Sequence, residues 1–241
     1  MTTFRIALAG NPNTGKSTLF NALTGMRQHT GNWPGKTVLQ AVGHFEYQDN
    51  QYELIDLPGT YSLYSNSTDE EVARDYIIFE KPDVTVVVMD ATSLERNMNL
   101  ALQVLEMTST TVICINLMDE AKKKGITIDT ARLEEKLGVP VVKISARNRK
   151  GFNELFKALE EIATGDRKTK PYHVSYSETL EEKIAEVEEH VKRIFGNEFP
   201  SRWIALRIID GDEQLLQSLK QHVMKQRGEV EHEHGRAAEV N

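Results

Sequence analysis

A single cysteine, Cys114, in 241 residues excludes any internal disulfide. Long apolar runs are missing too. The longest, VTVVVM and VICI, fall far short of the roughly eighteen residues that a membrane helix needs. The start, MTTFRIALAG, carries one short apolar run and none of the layout of a secretory leader. Basic surplus is also lacking: 36 acidic against 29 basic side chains leave a formal charge of −7. An acidic chain is a poor fit for non-specific nucleic-acid binding, which needs basic surface, so no nucleic-acid partner is expected. These absences leave a soluble, cytoplasmic reading. With 39% hydrophobic residues the chain can bury one good-sized core and a smaller second one. Cys114, inside TTVICINLM, reads as a small core residue of a buried strand.

Short apolar runs alternate with longer helical patterns as far as about residue 163. FRIALAG reads as a strand and GKSTLFNALTG as a helix ending at Gly25. VLQAVGHFEYQD and QYELIDLPG flank a polar turn and predict a hairpin. VTVVVMDA, TTVICINL and PVVKISA read as further strands, LERNMNLALQVLEM and NELFKALEEIA as amphipathic helices. This alternation predicts an α/β fold: a mostly parallel six-stranded sheet flanked by helices, with one antiparallel edge. TGNWPGKT, residues 30–37, reads as a loop without a packing pattern, an odd place for Trp33. A polar linker at residues 164–176 separates residues 1–165 from a small all-helical domain, residues 172–228. There Leu180, Ile184, Val187, Val191 and Ile194 form one helical stripe, and Leu216, Leu219 and Val223 a second. Residues 229–241 read as a frayed tail, with His232 and His234 solvated in it.

The clearest chemistry is GNPNTGKS, Gly10 to Ser17, which fits G-x-x-x-x-G-K-[ST] between a strand and a helix. Gly10 and Gly15 let the backbone turn its N–H groups toward phosphates. The amides of Asn11, Asn13, Thr14, Gly15, Lys16, Ser17 and Thr18 form the cradle, reinforced by the helix N-terminus. Lys16 reaches the β- and γ-phosphates, and the Ser17 hydroxyl suits Mg²⁺.

A phosphate loop alone does not choose the base. NLMD, Asn116 to Asp119 with Met118 between, resembles the N-K-x-D element of GTPases, Leu117 replacing the usual lysine. Asp119 can accept from both N1–H and the 2-amino group of guanine, donors that adenine lacks. SAR, Ser145, Ala146 and Arg147, resembles the fifth GTPase element, with the Ala146 N–H expected on guanine O6. DLPG, Asp56 to Gly59, matches D-x-x-G: Asp56 would hold Mg²⁺ through water and the Gly59 N–H would sense the γ-phosphate. Gly35 and Thr37 lie where the first switch belongs, Thr37 offering its hydroxyl to Mg²⁺ and its N–H to the γ-phosphate. Thr60 stands where many GTPases carry a water-orienting glutamine. Lys16, Thr37, Gly59 and Asn13 are the expected catalytic set.

Taken together, GNPNTGKSTLFNALTG, GNWPGKT, DLPGTYSL, NLMD and the helical segment resemble the cytoplasmic N-terminal part of the ferrous iron transport protein B (FeoB) family. The resemblance implies a Ras-like P-loop GTPase domain followed by a helical domain that aids GDP binding. Beyond these lies a membrane-spanning part, which would be the partner and would put the intact protein at the cytoplasmic face of the membrane. It implies GTP or GDP and Mg²⁺ as cofactors, and K⁺ held by the Asn13 side chain and the carbonyls of Gly31 and Trp33. Trp33 would then stiffen a loop whose carbonyls point inward. Lys36 departs from the apolar residue associated with that position. The expected activity is slow GTP hydrolysis, stimulated by K⁺, that regulates iron uptake. A GTPase of ribosome assembly or tRNA modification is the alternative, and oligomeric assembly stays open.

Overall fold

The computed structural model describes residues 2–25, 28–34, 36–64 and 66–224. They form two compact units, divided between Tyr176 and Ser177. The elements of the first unit begin with β1 (Thr3–Gly10), α1 (Lys16–Thr24), β2 (Gln28–Asn32), β3 (Leu39–Tyr47), β4 (Asn50–Asp56) and α2 (Thr68–Asp75). A π-helical turn, Tyr76–Glu80, continues α2. Then follow β5 (Val84–Asp90), α3 (Leu94–Met107), β6 (Thr111–Asn116), α4 (Met118–Lys123), α5 (Thr130–Leu137), β7 (Val141–Lys143) and α6 (Phe152–Ala163).

The strands make one sheet in the order β2-β3-β4-β1-β5-β6-β7. The pairings from β4 through β1, β5 and β6 to β7 are parallel. The predicted hairpin is β3 and β4, antiparallel and closing with Tyr47 opposite Asn50. The sheet has seven strands among the described residues, one more than the six expected. The addition is β2, which pairs antiparallel with β3 from Gln28↔Gly43 to Asn32↔Leu39. Its sequence, QHTGN, has no alternation and little β propensity. An edge strand of this kind forms because β3 offers it a row of backbone partners, and such pairing leaves no side-chain signature.

β1, β5 and β6 are apolar on both faces because helices cover both. Leu8, Val86 and Cys114 belong to one buried cluster with Leu19 and Phe20 of α1 and Leu155, Leu159 and Ile162 of α6. The steps of three and four in α6 put those residues on one stripe. Polar residues stop and start the helices: the Ser67 hydroxyl accepts from the Glu70 N–H, and the Asp129 carboxylate from the Arg132 N–H. Residues 166–176 have no regular structure yet lie along the first unit. The Lys170 N–H donates to Gly138 O at 3.0 Å and the Tyr172 N–H to Leu137 O at 2.9 Å. The buried Glu106 carboxylate accepts the Val174 N–H at 2.8 Å and meets His173 Nδ1 at 2.9 Å.

The second unit contains α7 (Glu178–Phe195), α8 (Ser201–Ile209) and a helix over residues 213–224, α9. Ile184 of α7 packs with Ala205 and Leu206 of α8, and Leu180 and Val187 lie against them. Ile194, expected on the stripe, is 71% exposed. In α9 Leu219 is buried as expected, and its buried companion is Leu215 in place of the expected Leu216. The expected tail with His232 and His234 lies outside the described residues. Among the described residues no helix is long and apolar enough to cross a membrane.

Candidate nucleotide-binding site

The carboxyl ends of the parallel strands carry the phosphate loop, D-x-x-G, NLMD and SAR. β1 runs into the phosphate loop, β4 ends at Asp56, β6 ends at Asn116, and Ser145 follows β7. Chain order reverses across β1, with β4 on one side and β5 on the other, which is where open α/β sheets bind ligands.

The phosphate loop is built by close approach. Asn13 and Gly15 both take the left-handed conformation, at φ +67° and +80°. A Cβ on Gly15 would lie 2.5 Å from Asn116 Nδ2, and one on Gly10 would lie 2.7 Å from Val88 O. Neither position has room for a side chain. The Thr14 hydroxyl braces the turn on Asn11 O at 3.0 Å. α1 begins at Lys16 with no side-chain cap, so its first N–H donors face outward, as anion binding requires. Ser17 and Thr18 are exposed on that turn, while the Asn11 side chain is buried with no hydrogen-bond partner for its oxygen or nitrogen among the described residues. Lys16 is ion-paired with Asp56 and also donates to Leu57 O at 2.6 Å. The lysine expected on the phosphates and the acid expected near Mg²⁺ thus hold each other in this structure.

The first switch is more structured than its composition suggests. Gly31 lies in the β2–β3 ladder opposite Gln40. Trp33 is only 8% exposed and meets Tyr76 edge-on, ring centroids 5.3 Å apart. Burial at the same spot pushes the Tyr76 hydroxyl up to about 12. The Trp33 N–H donates to Val38 O at 2.9 Å, and Trp33 O accepts the Lys36 N–H at 3.0 Å. Lys36 Nζ reaches Glu71 of α2 at 2.7 Å. Trp33 and Lys36 therefore tie the first switch to the helix after D-x-x-G, and the Trp33 carbonyl already carries one hydrogen bond. Thr37 and Gly59 are exposed, and Gly35 lies outside the described residues. Thr60 is turned inward, 5% exposed, its N–H directed at Gly10 O at 3.3 Å.

Asn116 joins the two halves of the site. Its Nδ2 donates to Thr14 O at 3.0 Å, and its Oδ1 accepts the Ala146 N–H at 3.0 Å. The Ala146 amide expected on guanine O6 is thus bonded to Asn116 here. Leu117 is left-handed at φ +61°, a sharp corner that starts α4 and presents Asp119. The Ser145 hydroxyl donates to Asp119 Oδ1 at 2.9 Å. That bond is the largest influence and, against the opposing effect of burial, holds the carboxyl below its ordinary range. Met118 and Asp119 also line an open cavity of about 510 Å³ with Ile126, Ile128 and Ile144. Arg147 is exposed beside it.

Sequence reading missed three members of this arrangement. Tyr76 and Glu71, the seats for Trp33 and Lys36, lie across a separation no local pattern bridges. Asn148 donates to Asp119 Oδ2 at 3.3 Å and to Ser145 Oγ at 3.0 Å. Its signal was available: it closes a turn on Ser145 three residues earlier, which returns its amide toward the acid. Among the described residues no group of three or more His, Cys, Asp or Glu side chains is placed to hold a metal ion.

A phosphate cradle welded by Asn116 to an acid-bearing base loop, on a sheet of this topology, defines the P-loop GTPase class. The comparisons narrow it. The family described as ferrous iron transport protein B matches residues 4–159, and the FeoB cytosolic helical domain matches residues 176–240. The chain belongs to the FeoB family. It is 44% identical over 223 residues to the Fe(2+) transporter FeoB of Methanocaldococcus jannaschii, covering 91% of this chain and 32% of that protein. The cytosolic domain of the T. maritima FeoB iron transporter in a GDP form superposes with a TM-score of 0.82 at 38% identity, covering 92% of this chain and 85% of that one. The same domain in its GMPPNP form gives 0.81 at 38% identity, covering 90% and 85%. The chain spans about a quarter to a third of the length of the curated relatives it matches.

Proposed function

We propose that this chain binds GTP with Mg²⁺, hydrolyses it slowly, and serves as the nucleotide-dependent control element of a ferrous iron transporter. The observation that carries the reading is the double role of Asn116. One side chain sets the phosphate loop through Thr14 O and the base loop through the Ala146 N–H. A site so coupled binds the base and the phosphates of one ligand. Relatives solved with GDP and with GMPPNP support guanine as that base. Family membership weighs against the alternative of ribosome assembly or tRNA modification.

The donor set of Ser17, Thr37 and Asp56 is all oxygen, which fits Mg²⁺. When bound, Mg²⁺ neutralises charge on the β- and γ-phosphates. The carbonyls of Gly31 and Trp33 and the Asn13 amide offer neutral oxygens that suit K⁺. The chain's own part is positional. Nucleotide binding exchanges partners: Lys16 leaves Asp56 and Leu57 O for the phosphates. Water attacks the γ-phosphorus, the bond to the β-phosphate oxygen breaks, and GDP and phosphate result. Thr60, short and turned inward, does not orient that water as a glutamine would, so turnover is slow. The Gly59 N–H and Thr37 are left to sense the γ-phosphate. In the intact protein the second unit and the membrane-spanning part receive the signal, at the cytoplasmic face of the membrane.

The test is single-turnover hydrolysis of GTP by the purified chain in buffers holding only K⁺ or only Na⁺. Phosphate release that is faster in K⁺ and loses that advantage in Asn13→Ala supports the reading. Equal rates in the two salts would remove the K⁺ site, and absence of release would remove the enzyme.

A further inference from the structure

Asp119 stands in the first turn of α4, partly exposed, and its carboxylate would rotate freely unless tethered. Two side-chain donors tether it, one to each oxygen: the Ser145 hydroxyl to Oδ1 at 2.9 Å and Asn148 Nδ2 to Oδ2 at 3.3 Å. Asn148 also holds Ser145 Oγ at 3.0 Å, so the three groups close a triangle. The triangle is kept in place by backbone turns. The Asn148 N–H donates to Ser145 O at 3.1 Å, the Arg149 N–H donates to Ala146 O at 3.3 Å, and Arg149 is left-handed at φ +50°. A carboxylate oxygen accepts more than one hydrogen bond. Each oxygen of Asp119 therefore keeps a lone pair for a ligand while its plane is fixed from behind.

Resting on the guanine-nucleotide reading above, we propose that Asn148 is a positioning residue for base selection: it orients Asp119 so that both oxygens meet guanine at once. Guanine presents two donors on one edge, N1–H and the 2-amino group. Hypoxanthine presents only N1–H. A carboxylate of fixed plane uses both donors, whereas a rotating one satisfies N1–H about as well and loses the second. Removing Asn148 therefore weakens GDP more than inosine diphosphate. Ser145 holds Oδ1 only, and among the described side chains Asn148 is the donor that holds Oδ2.

The experiment measures GDP and inosine diphosphate affinities, with Mg²⁺, for the chain as it is, for Asn148→Ala, for Asp119→Asn and for the double variant. Asn148 is exposed, so the alanine variant keeps its fold. The expected result is a roughly three- to tenfold loss of GDP affinity in Asn148→Ala, in line with one exposed hydrogen bond to a charged group. The loss for inosine diphosphate is under about twofold, so the GDP preference shrinks. In the Asp119→Asn background, Asn148→Ala adds less than about twofold. Equal losses for both nucleotides would overturn the proposal, as would a full loss persisting in that background. Either would make Asn148 a loop-stabilising residue only. Failure of the unaltered chain to bind GDP would refute the guanine reading, which is a separate outcome.

Discussion

The contact most open to a decisive perturbation is Trp33 on Tyr76. An aromatic side chain of this size buries about 150–250 Å², worth about 4–6 kcal/mol as an upper bound. The edge-on ring pair adds about 1 kcal/mol, and the partly buried Lys36–Glu71 pair adds about 0.2–1 kcal/mol. Against this stands the ordering of Trp33, Pro34, Lys36, Thr37 and Val38, which costs about 1–2 kcal/mol per residue, or about 5–10 kcal/mol. The two sides nearly cancel, so the first switch is held by one ring with little to spare. Trp33→Ala removes most of the stabilising side and releases the segment while the sheet stays folded. Hydrogen exchange on the nucleotide-free chain reads this directly. The amides of residues 33 and 36, which donate to Val38 O and Trp33 O, lose at least about tenfold in protection. The core-strand amides of Leu8, Val86 and Ile113 keep theirs. Trp33→Phe falls between, since it keeps a ring for Tyr76 and removes an indole N–H that is buried without a partner among the described residues. Unchanged protection at residues 33 and 36 in Trp33→Ala would show that the ring does not hold the switch.

Other outcomes follow from the same geometry. Asp119→Ala removes charge-assisted bonds worth about 1.5–3 kcal/mol, so GDP affinity by calorimetry falls roughly ten- to a hundredfold. The Asp119 carboxyl is held below its ordinary range chiefly by the Ser145 hydroxyl. A depressed carboxylate stays charged to a lower pH than a free one, so the part of GDP affinity owed to Asp119 persists on acidification from neutral pH and is lost only as pH falls through the depressed pKa. In Ser145→Ala that part begins to fall at a higher pH, which a titration of affinity against pH detects. Burial pushes the Cys114 thiol far up. A thiol reagent therefore modifies it at the rate of unfolding, and modification faster than unfolding would contradict its placement in β6. Glu106→Ala removes the Glu106 bonds to residues 173 and 174, so proteolysis between residues 166 and 176 speeds up while the cut sites elsewhere do not change.

How much of the molecule is legible in its sequence depends on whether the determinant is local. β1, β5 and β6 are short apolar runs covered on both faces, and their neighbours in sequence announce them. The phosphate loop is a single octapeptide in which each glycine answers a close approach, Gly15 to Asn116 and Gly10 to Val88. β2 is not legible, because an edge strand is specified by the partner that offers it hydrogen bonds. The burial of Trp33 is not legible either: its seat is Tyr76, which belongs to a distant element of the chain. In α9 Leu219 is buried as the pattern predicts, but its buried companion is Leu215 and not Leu216, since both are apolar and only packing chooses between them. Asn148 escapes notice for a different reason. Its residue type is common in turns, and the acid it holds belongs to another motif.

The central claim is that one guanine nucleotide spans the cradle of Gly10 to Thr18 and the acid of Asp119, with Asn116 holding the two together. Calorimetry of the purified chain with Mg²⁺, titrated with GDP and, in a separate run on fresh protein, with ADP, tests it most directly. The account predicts one GDP bound per chain and no measurable heat with ADP. Equal binding of the two, or no heat with either, would contradict it.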